Sequence, residues 1–190
     1  MSDLPTIYLV RHGETEWSKS GRHTGRTDLP LIQEGEAEAR ALRSRLAETA
    51  FGQVLASPLQ RALRTAELAG FTATPDSDLL EWDYGDYEGL TSAAIHAAHP
   101  DWDLFSDGCP GGESVQQISR RADRIATRLK GLGGNVLVFS HGHFLRVLAA
   151  RWVGQPVTFA RALLLSTGSV SALGFGHSSF EEPAISLWNS

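Results

Sequence analysis

The sequence predicts an α/β protein built on a mostly parallel sheet. Three observations predict it. Strand-like and helix-like segments alternate along the chain. The run Val136–Phe139 is apolar throughout, as in a strand buried on both faces. Two strand-like segments also run straight into a His-Gly pair, and the carboxyl ends of strands are where open parallel sheets bind ligands.

The elements follow in order. Thr6–Val10 is a short apolar, β-rich strand, and polar, Gly-containing sequence runs from it to Pro30. Glu34–Glu48 reads as a helix, with Ala39, Leu42 and Leu46 on one face. Gln53–Ser57 is a second strand stopped by Pro58, and Leu59–Ala69 is a helix. Leu79–Trp82 reads as a short strand before a Gly- and Tyr-rich loop, and Ser92–Ala98 as a short helix ended by Pro100. The Gly- and Pro-containing stretch Ser106–Gly112 reads as a loop. Glu113–Lys130 is the clearest helix: Ser114 and Gln117 form a capping-box pattern, and Val115, Ile118, Ala122, Ile125 and Leu129 make the apolar stripe. Gly131 is its expected C-cap. After the strand Val136–Phe139 come a helix over Phe144–Trp152 and late strands at Val170–Phe175 and Ile185–Trp188. No repeat, low-complexity tract or linker divides the chain, so one domain over residues 1–190 is expected.

Composition excludes several classes. At 190 residues the chain can bury a useful core, and 42% apolar with 21% charged residues is ordinary for a globular protein. The formal net charge of −5 argues against a nucleic-acid partner. An anion site must therefore be a local cluster of cations. Lys19 and Lys130 are the only lysines among 17 basic residues. Arg forks suit phosphate, although most of these arginines fall on predicted helix faces, where compositional bias explains them. Cys109 is the only cysteine, which fits a reducing, cytoplasmic setting. Met1–Pro5 lacks a basic region followed by an apolar run, so no secretory signal is expected. No apolar stretch approaches the roughly 18 residues of a membrane span.

The most informative feature is the pair of strand endings. Ile7–Val10 leads into Arg11-His12-Gly13, and Val136–Phe139 leads into Ser140-His141-Gly142. A third strand ends at Ser57-Pro58-Leu59-Gln60-Arg61, with Arg61 near the positive end of the next helix dipole. A fourth ends at Glu81. Two histidines, two arginines and a carboxylic acid suit a phosphoryl group: a nucleophile, cations for its oxygens, and an acid for the leaving group. Competing readings are structural histidines, or His141 and His143 as metal ligands, a spacing common by chance. Gly131-Leu132-Gly133-Gly134 follows a helix rather than a strand, which argues against a nucleotide loop.

Arg11-His12-Gly13-Glu14-Thr15-Glu16-Trp17 resembles the signature of the histidine phosphatase superfamily. Ser57-Pro58-Leu59-Gln60-Arg61-Ala62 with Thr65-Ala66, Glu81-Trp82-Asp83-Tyr84-Gly85 with Glu88-Gly89, Gly112-Glu113-Ser114, and Ser140-His141-Gly142 resemble its later motifs in the right order. The resemblance spans about Ile7 to Trp152. It implies a three-layer α/β/α, phosphoglycerate mutase-like fold. His12 resembles the nucleophile, Arg11, Arg61 and His141 the phosphate clamp, and Glu81 the general acid. Ser18, Thr24, Gly25, Tyr84 and Gly142 stand at substrate-contact positions. No metal or organic cofactor is implied, and since some relatives are dimers, a homodimer is compatible with it.

Physical chemistry supports these roles. A nucleophilic His12 must be neutral, and two nearby guanidinium groups disfavour its protonated form. The same groups stabilise charge on the equatorial phosphate oxygens, and can do so bidentately. His141 is useful to phosphate only as a proton donor, which favours its charged form in the complex. Glu81 must carry a proton to act as an acid, so an optimum on the acidic side of neutral is expected. Ser18 stands where the mutase-like pattern usually has Asn, and Ile32 where the family often has Thr.

The stretch Leu90–Gly111 contains no Lys or Arg. A mutase must hold a bisphosphorylated intermediate and exclude water, whereas this stretch offers no cations for a second phosphate. Hydrolysis is therefore favoured over the alternative, a cofactor-dependent phosphoglycerate mutase. Segments around Trp17–Gly21, Thr24–Pro30, Glu81–Gly89 and Asp107–Cys109 are similar to a sedoheptulose-bisphosphatase-like branch and to bacterial acid phosphatases near it. The expected substrates are small phosphomonoesters, among them sugar phosphates, with Lys19, Arg22, His23 and Arg26 as candidates for a second phosphate. A protein-phosphatase role and a non-catalytic binding role also stay open at this stage.

Overall fold

The computed structural model describes residues 4–190; the leader reading at Met1–Pro5 rests mainly on residues 1–3, which lie outside the described residues. Among the described residues, six strands form one sheet: β1 (Thr6–Arg11), β2 (Gln53–Ala56), β3 (Thr74–Pro75), β4 (Asn135–Ser140), β5 (Val170–Phe175) and β6 (Pro183–Leu187), in the order β3-β2-β4-β1-β5-β6. The β1–β4, β2–β4 and β2–β3 pairs are parallel, whereas β5 joins antiparallel to both β1 and β6.

The helices are α1 (Glu16–Lys19), α2 (Gln33–Leu46), α3 (Gln60–Leu68), α4 (Ser92–Ala98), α5 (Leu104–Asp107), α6 (Val115–Lys130) and α7 (Gly142–Trp152). Strand β4 shows why they form two layers. Its side chains alternate faces, as any strand's must. Val136 and Val138 pack into a core with Ile118, Ile125 and Leu129 of α6 and Leu145 and Leu148 of α7. Leu137 and Phe139 pack into a second core with Leu42 and Leu46 of α2 and Ala66 of α3. The result is the three-layer α/β/α arrangement, with β4 apolar on both faces because both are covered.

Helix α6 begins as its sequence predicts. The Ser114 hydroxyl accepts from Gln117 N–H, and Ser114 N–H donates to Gln117 Oε1 at 2.7 Å. Such a cap contributes about 1 kcal/mol. At its other end Gly131 keeps a right-handed conformation at φ −81°, and the left-handed glycine is Gly134 at φ 70°.

The short strand expected at Leu79–Trp82 is not formed. Ser77–Leu79 makes a single 3-10 turn, capped by the Asp76 carboxylate, which accepts from Asp78 N–H at 3.0 Å. The following backbone carbonyls turn to an arginine side chain instead of a neighbouring strand. Glu81 therefore comes from a loop, and the fourth parallel strand is Thr74–Pro75 at the sheet edge. Two short helices also occupy stretches that read as loop, α1 and α5.

Candidate active site

The parallel register of β1 and β4 sets Arg11 opposite Ser140, so the next residues, His12 and His141, emerge side by side at the carboxyl edge. Their ring centroids lie 5.1 Å apart. The loop after β1 lies tight against α2 because Gly13 meets the Gly35 backbone where any β-carbon would collide. Gly13 N–H also donates to the Thr65 hydroxyl of α3 at 3.1 Å.

These elements surround a pocket of about 220 Å³, whose lining includes Arg11, His12, Ser18, Thr24, Glu81, Tyr84 and Gly142 of the expected residues. His12 is buried, and its Nδ1 lies 2.7 Å from the carbonyl oxygen of Gly13. A carbonyl only accepts, so Nδ1 carries the proton and Nε2 keeps its lone pair. Burial, then the charges of Arg61 and Arg11, hold this imidazole well below its ordinary pKa and so neutral.

Arg11 donates from Nη1 to the Leu165 carbonyl at 2.5 Å, and its Nε, buried against Gly142, has no partner. Among the described residues this is the one buried side-chain nitrogen or oxygen left without a hydrogen bond. An orphaned buried guanidinium N–H is costly unless a ligand takes it. Arg11 and His12 line the same pocket.

Arg61 is fully buried and is satisfied by the protein itself. Its Nη1 donates to Thr27 O at 2.9 Å, its Nη2 to the carbonyls of Thr24 and Gly25 at 3.1 and 3.0 Å, and its Nε to His141 Nδ1 at 3.1 Å. Gly25 thus holds Arg61 rather than facing the pocket, and its own N–H is fixed by the Glu88 carboxylate. Since His141 Nδ1 accepts, Nε2 bears the proton and donates to the Ser57 hydroxyl at 2.7 Å. Burial, then the Arg61 charge, keeps His141 well below its ordinary pKa. Both of its nitrogens are committed inside the protein, so a proton given towards a phosphate would require this pair of bonds to rearrange.

Glu81 caps α7. Its Oε1 accepts from Trp82 N–H at 2.8 Å and Phe144 N–H at 2.7 Å, and its Oε2 accepts from His143 N–H at 3.0 Å. A carboxylate at a helix N-terminus is favourably placed. Oε2 makes one bond where Oε1 makes two, which leaves it the freer oxygen on the pocket wall. The Tyr84 hydroxyl shares a 2.5 Å hydrogen bond with His143 Nδ1, and burial raises the Tyr84 pKa well above its usual value.

Ser18 and Thr24 line the pocket with hydroxyls turned aside. Ser18 Oγ closes a capping box with Thr15, and Thr24 Oγ1 donates to the Arg22 carbonyl at 3.2 Å. Of the four candidate cations for a second phosphate, Arg22 lies on the pocket with His23, whereas Lys19 pairs with Glu34 and Arg26 with Asp83 elsewhere. Arg146, which the sequence did not single out, also lines the pocket, and so does His143, which it offered only as a metal ligand. The signal was available: helix α7 starts at Gly142, so His143 and Arg146 fall on one face with it. Ser57 was likewise passed over, though it opens one of the quoted motifs. The histidines at positions 141 and 143 engage different partners, and among the described residues no group of three or more His, Cys, Asp or Glu is placed to hold a metal ion. Burial pushes the Cys109 thiol up to about 12. Among the described residues no helix is long and apolar enough to cross a membrane.

Comparison with known proteins identifies the family. The family model for the histidine phosphatase superfamily (branch 1) matches residues 7–190. An acid phosphatase of Mycobacterium tuberculosis is 43% identical over 176 residues, covering 90% of this chain and 87% of that protein. A sedoheptulose 1,7-bisphosphatase of Saccharomyces cerevisiae is 31% identical, covering 96% and 92%. A Salmonella choleraesuis protein described as a probable phosphoglycerate mutase is 33% identical, covering 90% and 86%. A solved Mycobacterium tuberculosis structure superposes with a TM-score of 0.92 at 39% identity, covering 97% of this chain and 96% of that one. The chain therefore belongs to the histidine phosphatase superfamily, and its class is that of the phosphoric monoester hydrolases.

Proposed function

We propose that this chain, acting as one domain, hydrolyses small phosphomonoesters through a phosphohistidine on His12. The observation that carries the reading is the His12–Arg11 pair: an unprotonated Nε2 on a neutral imidazole and an unpartnered guanidinium N–H, on two consecutive residues that line one pocket. A nucleophile and a guanidinium donor on adjacent residues suit a phosphoryl group.

In the first step the His12 Nε2 lone pair forms a P–N bond while the ester P–O bond breaks. Arg11 Nε–H, with the Arg61 and His141 pair behind it, stabilises the charge on the equatorial oxygens. The departing alkoxide takes a proton from Glu81 Oε2. In the second step Glu81 takes a proton from water, whose oxygen attacks phosphorus; the P–N bond breaks and inorganic phosphate leaves. Hydrolysis is favoured over mutase chemistry because the stretch 90–111, which contributes Ser92 to the pocket, brings no Lys or Arg with which to close over a bound phosphate and exclude water.

The substrate class inferred is a sugar phosphate or bisphosphate. Arg22 and Arg146 line the pocket and, among the described residues, have no carboxylate partner. Arg146 is held in place by Nε and Nη2 bonds to the carbonyls of Ala160 and Arg161. These two cations suit a second anionic group beyond the scissile phosphate. The lone Cys109 fits a reducing, cytoplasmic setting for this activity. The test is phosphate release from a panel of sugar phosphates, sugar bisphosphates and simple esters without added metal. Wild type is expected to release phosphate and His12→Ala to release none; interconversion of phosphoglycerates without release would select the mutase reading instead.

A further inference from the structure

We propose that Arg121 and Glu113 are positioning residues for the Glu81 carboxylate, and through it for protonation of the leaving group. The proposal rests on the acid role given to Glu81 above. Among the described residues Glu81 is the only carboxylate on the pocket wall, yet residues 80–84 that carry it form neither helix nor strand. Something other than a backbone ladder must hold it.

The guanidinium of Arg121 does so from α6. Its Nη1 donates to the carbonyls of Asp78 and Leu80 at 3.0 and 2.6 Å, and its Nη2 to the carbonyl of Glu81 itself at 3.3 Å. Its Nε and Nη2 also grip the two oxygens of Glu113 at 2.9 and 2.6 Å. All five guanidinium N–H groups thus have acceptors. Arg121 is buried and Glu113 nearly so, with side-chain exposures of 9% and 12%. Glu113 holds the same loop from its other end: its N–H donates to Asp83 O at 2.8 Å, and its carbonyl accepts from the Trp82 indole at 2.7 Å. The Arg121 guanidinium also lies 4.4 Å over the Phe144 ring, and Phe144 N–H is one of the donors that fix the Glu81 carboxylate. One side chain therefore touches both the backbone that carries Glu81 and the residue that orients its oxygens.

A lysine would keep the charge but lose the fork. The three loop carbonyls would then lose shared anchorage, and a displacement of about 1 Å at a catalytic group costs on the order of 100-fold in rate. The loss should depend on the leaving group, because p-nitrophenolate departs without a proton and an alkoxide does not.

The test compares kcat/KM for p-nitrophenyl phosphate and glycerol phosphate in wild type, Arg121→Lys, Glu81→Gln and the double variant. Arg121→Lys is expected to slow glycerol phosphate about 100-fold and p-nitrophenyl phosphate under about tenfold. Glu81→Gln should show the same selectivity, and adding Arg121→Lys should not widen it. Equal slowing of both esters by Arg121→Lys, or a selectivity that widens in the double variant, overturns the proposal while leaving the Glu81 assignment intact. A Glu81→Gln variant without leaving-group selectivity removes the acid role and this proposal together. If thermal melting shows Arg121→Lys unfolded, Glu113→Gln carries the same comparison.

Discussion

Arg61 donates its Nε–H to Nδ1 of His141 across 3.1 Å, tying the start of α3 to the start of α7. The bond sets the histidine's tautomer and directs its Nε2–H to the Ser57 hydroxyl. Three residues from two strand ends, Ser57 and Arg61 after β2 and His141 after β4, thus form one buried chain, and removing its last member should be felt at His141 first.

Ser57→Ala leaves the His141 Nε2–H buried without an acceptor. The expected destabilisation is about 1–3 kcal/mol. It should come with a raised KM for phosphate esters, since the His141 ring is no longer held at Nε2. Denaturant unfolding and steady-state kinetics check both; a variant as stable as wild type would mean that the hydroxyl is not the acceptor.

Arg11→Lys keeps a positive charge but removes the buried Nε–H. Loss of one preorganised donor to a developing oxyanion costs on the order of 100-fold in kcat. The measurement is single-turnover phosphate release. A loss of less than about threefold would show that charge alone suffices at this position.

Stability should rise with pH between roughly 5 and 7. His12, His141 and His143 are each buried and held well below the ordinary histidine pKa, chiefly by burial. The unfolded chain binds protons at these sites below about pH 6.5, while the folded chain does not. Each histidine therefore costs up to about 1.4 kcal/mol per pH unit below that value, until its folded pKa is reached. Urea unfolding at pH 5 and pH 7 checks this; equal stability at both would mean the imidazoles are not buried neutral.

Arg146→Gln should separate one anionic group from two. KM for a sugar bisphosphate is expected to rise about tenfold or more, as when a charge-assisted bond worth about 1.5–3 kcal/mol is lost. KM for the matching monophosphate should change much less. Parallel rises for both would place Arg146 against the scissile phosphate instead.

Much of the fold was legible because it rests on local patterns. The apolar run of β4, the capping box at Ser114 and the Arg11-His12 and Ser140-His141 endings are each readable within a few residues. What escaped depends on partners distant in sequence. Glu81 reads as a strand end because Leu79 and Leu80 precede it, but the carbonyls of that segment bond to Arg121, some forty residues on. The antiparallel attachment of β5 and β6 leaves no mark in their composition. Helices α1 and α5 are too short for a periodic stripe. The internal engagement of Arg61 was also not legible, since nothing in the motif around it shows that Thr24, Gly25 and Thr27 offer their carbonyls.

The most direct measurement is to quench the enzyme during turnover of a phosphorus-labelled ester and locate the label. The account predicts an alkali-stable, acid-labile phosphoryl group on the His12 peptide, formed without added metal and missing in His12→Ala. Label on another residue, or phosphate release by His12→Ala at the wild-type rate, would contradict it.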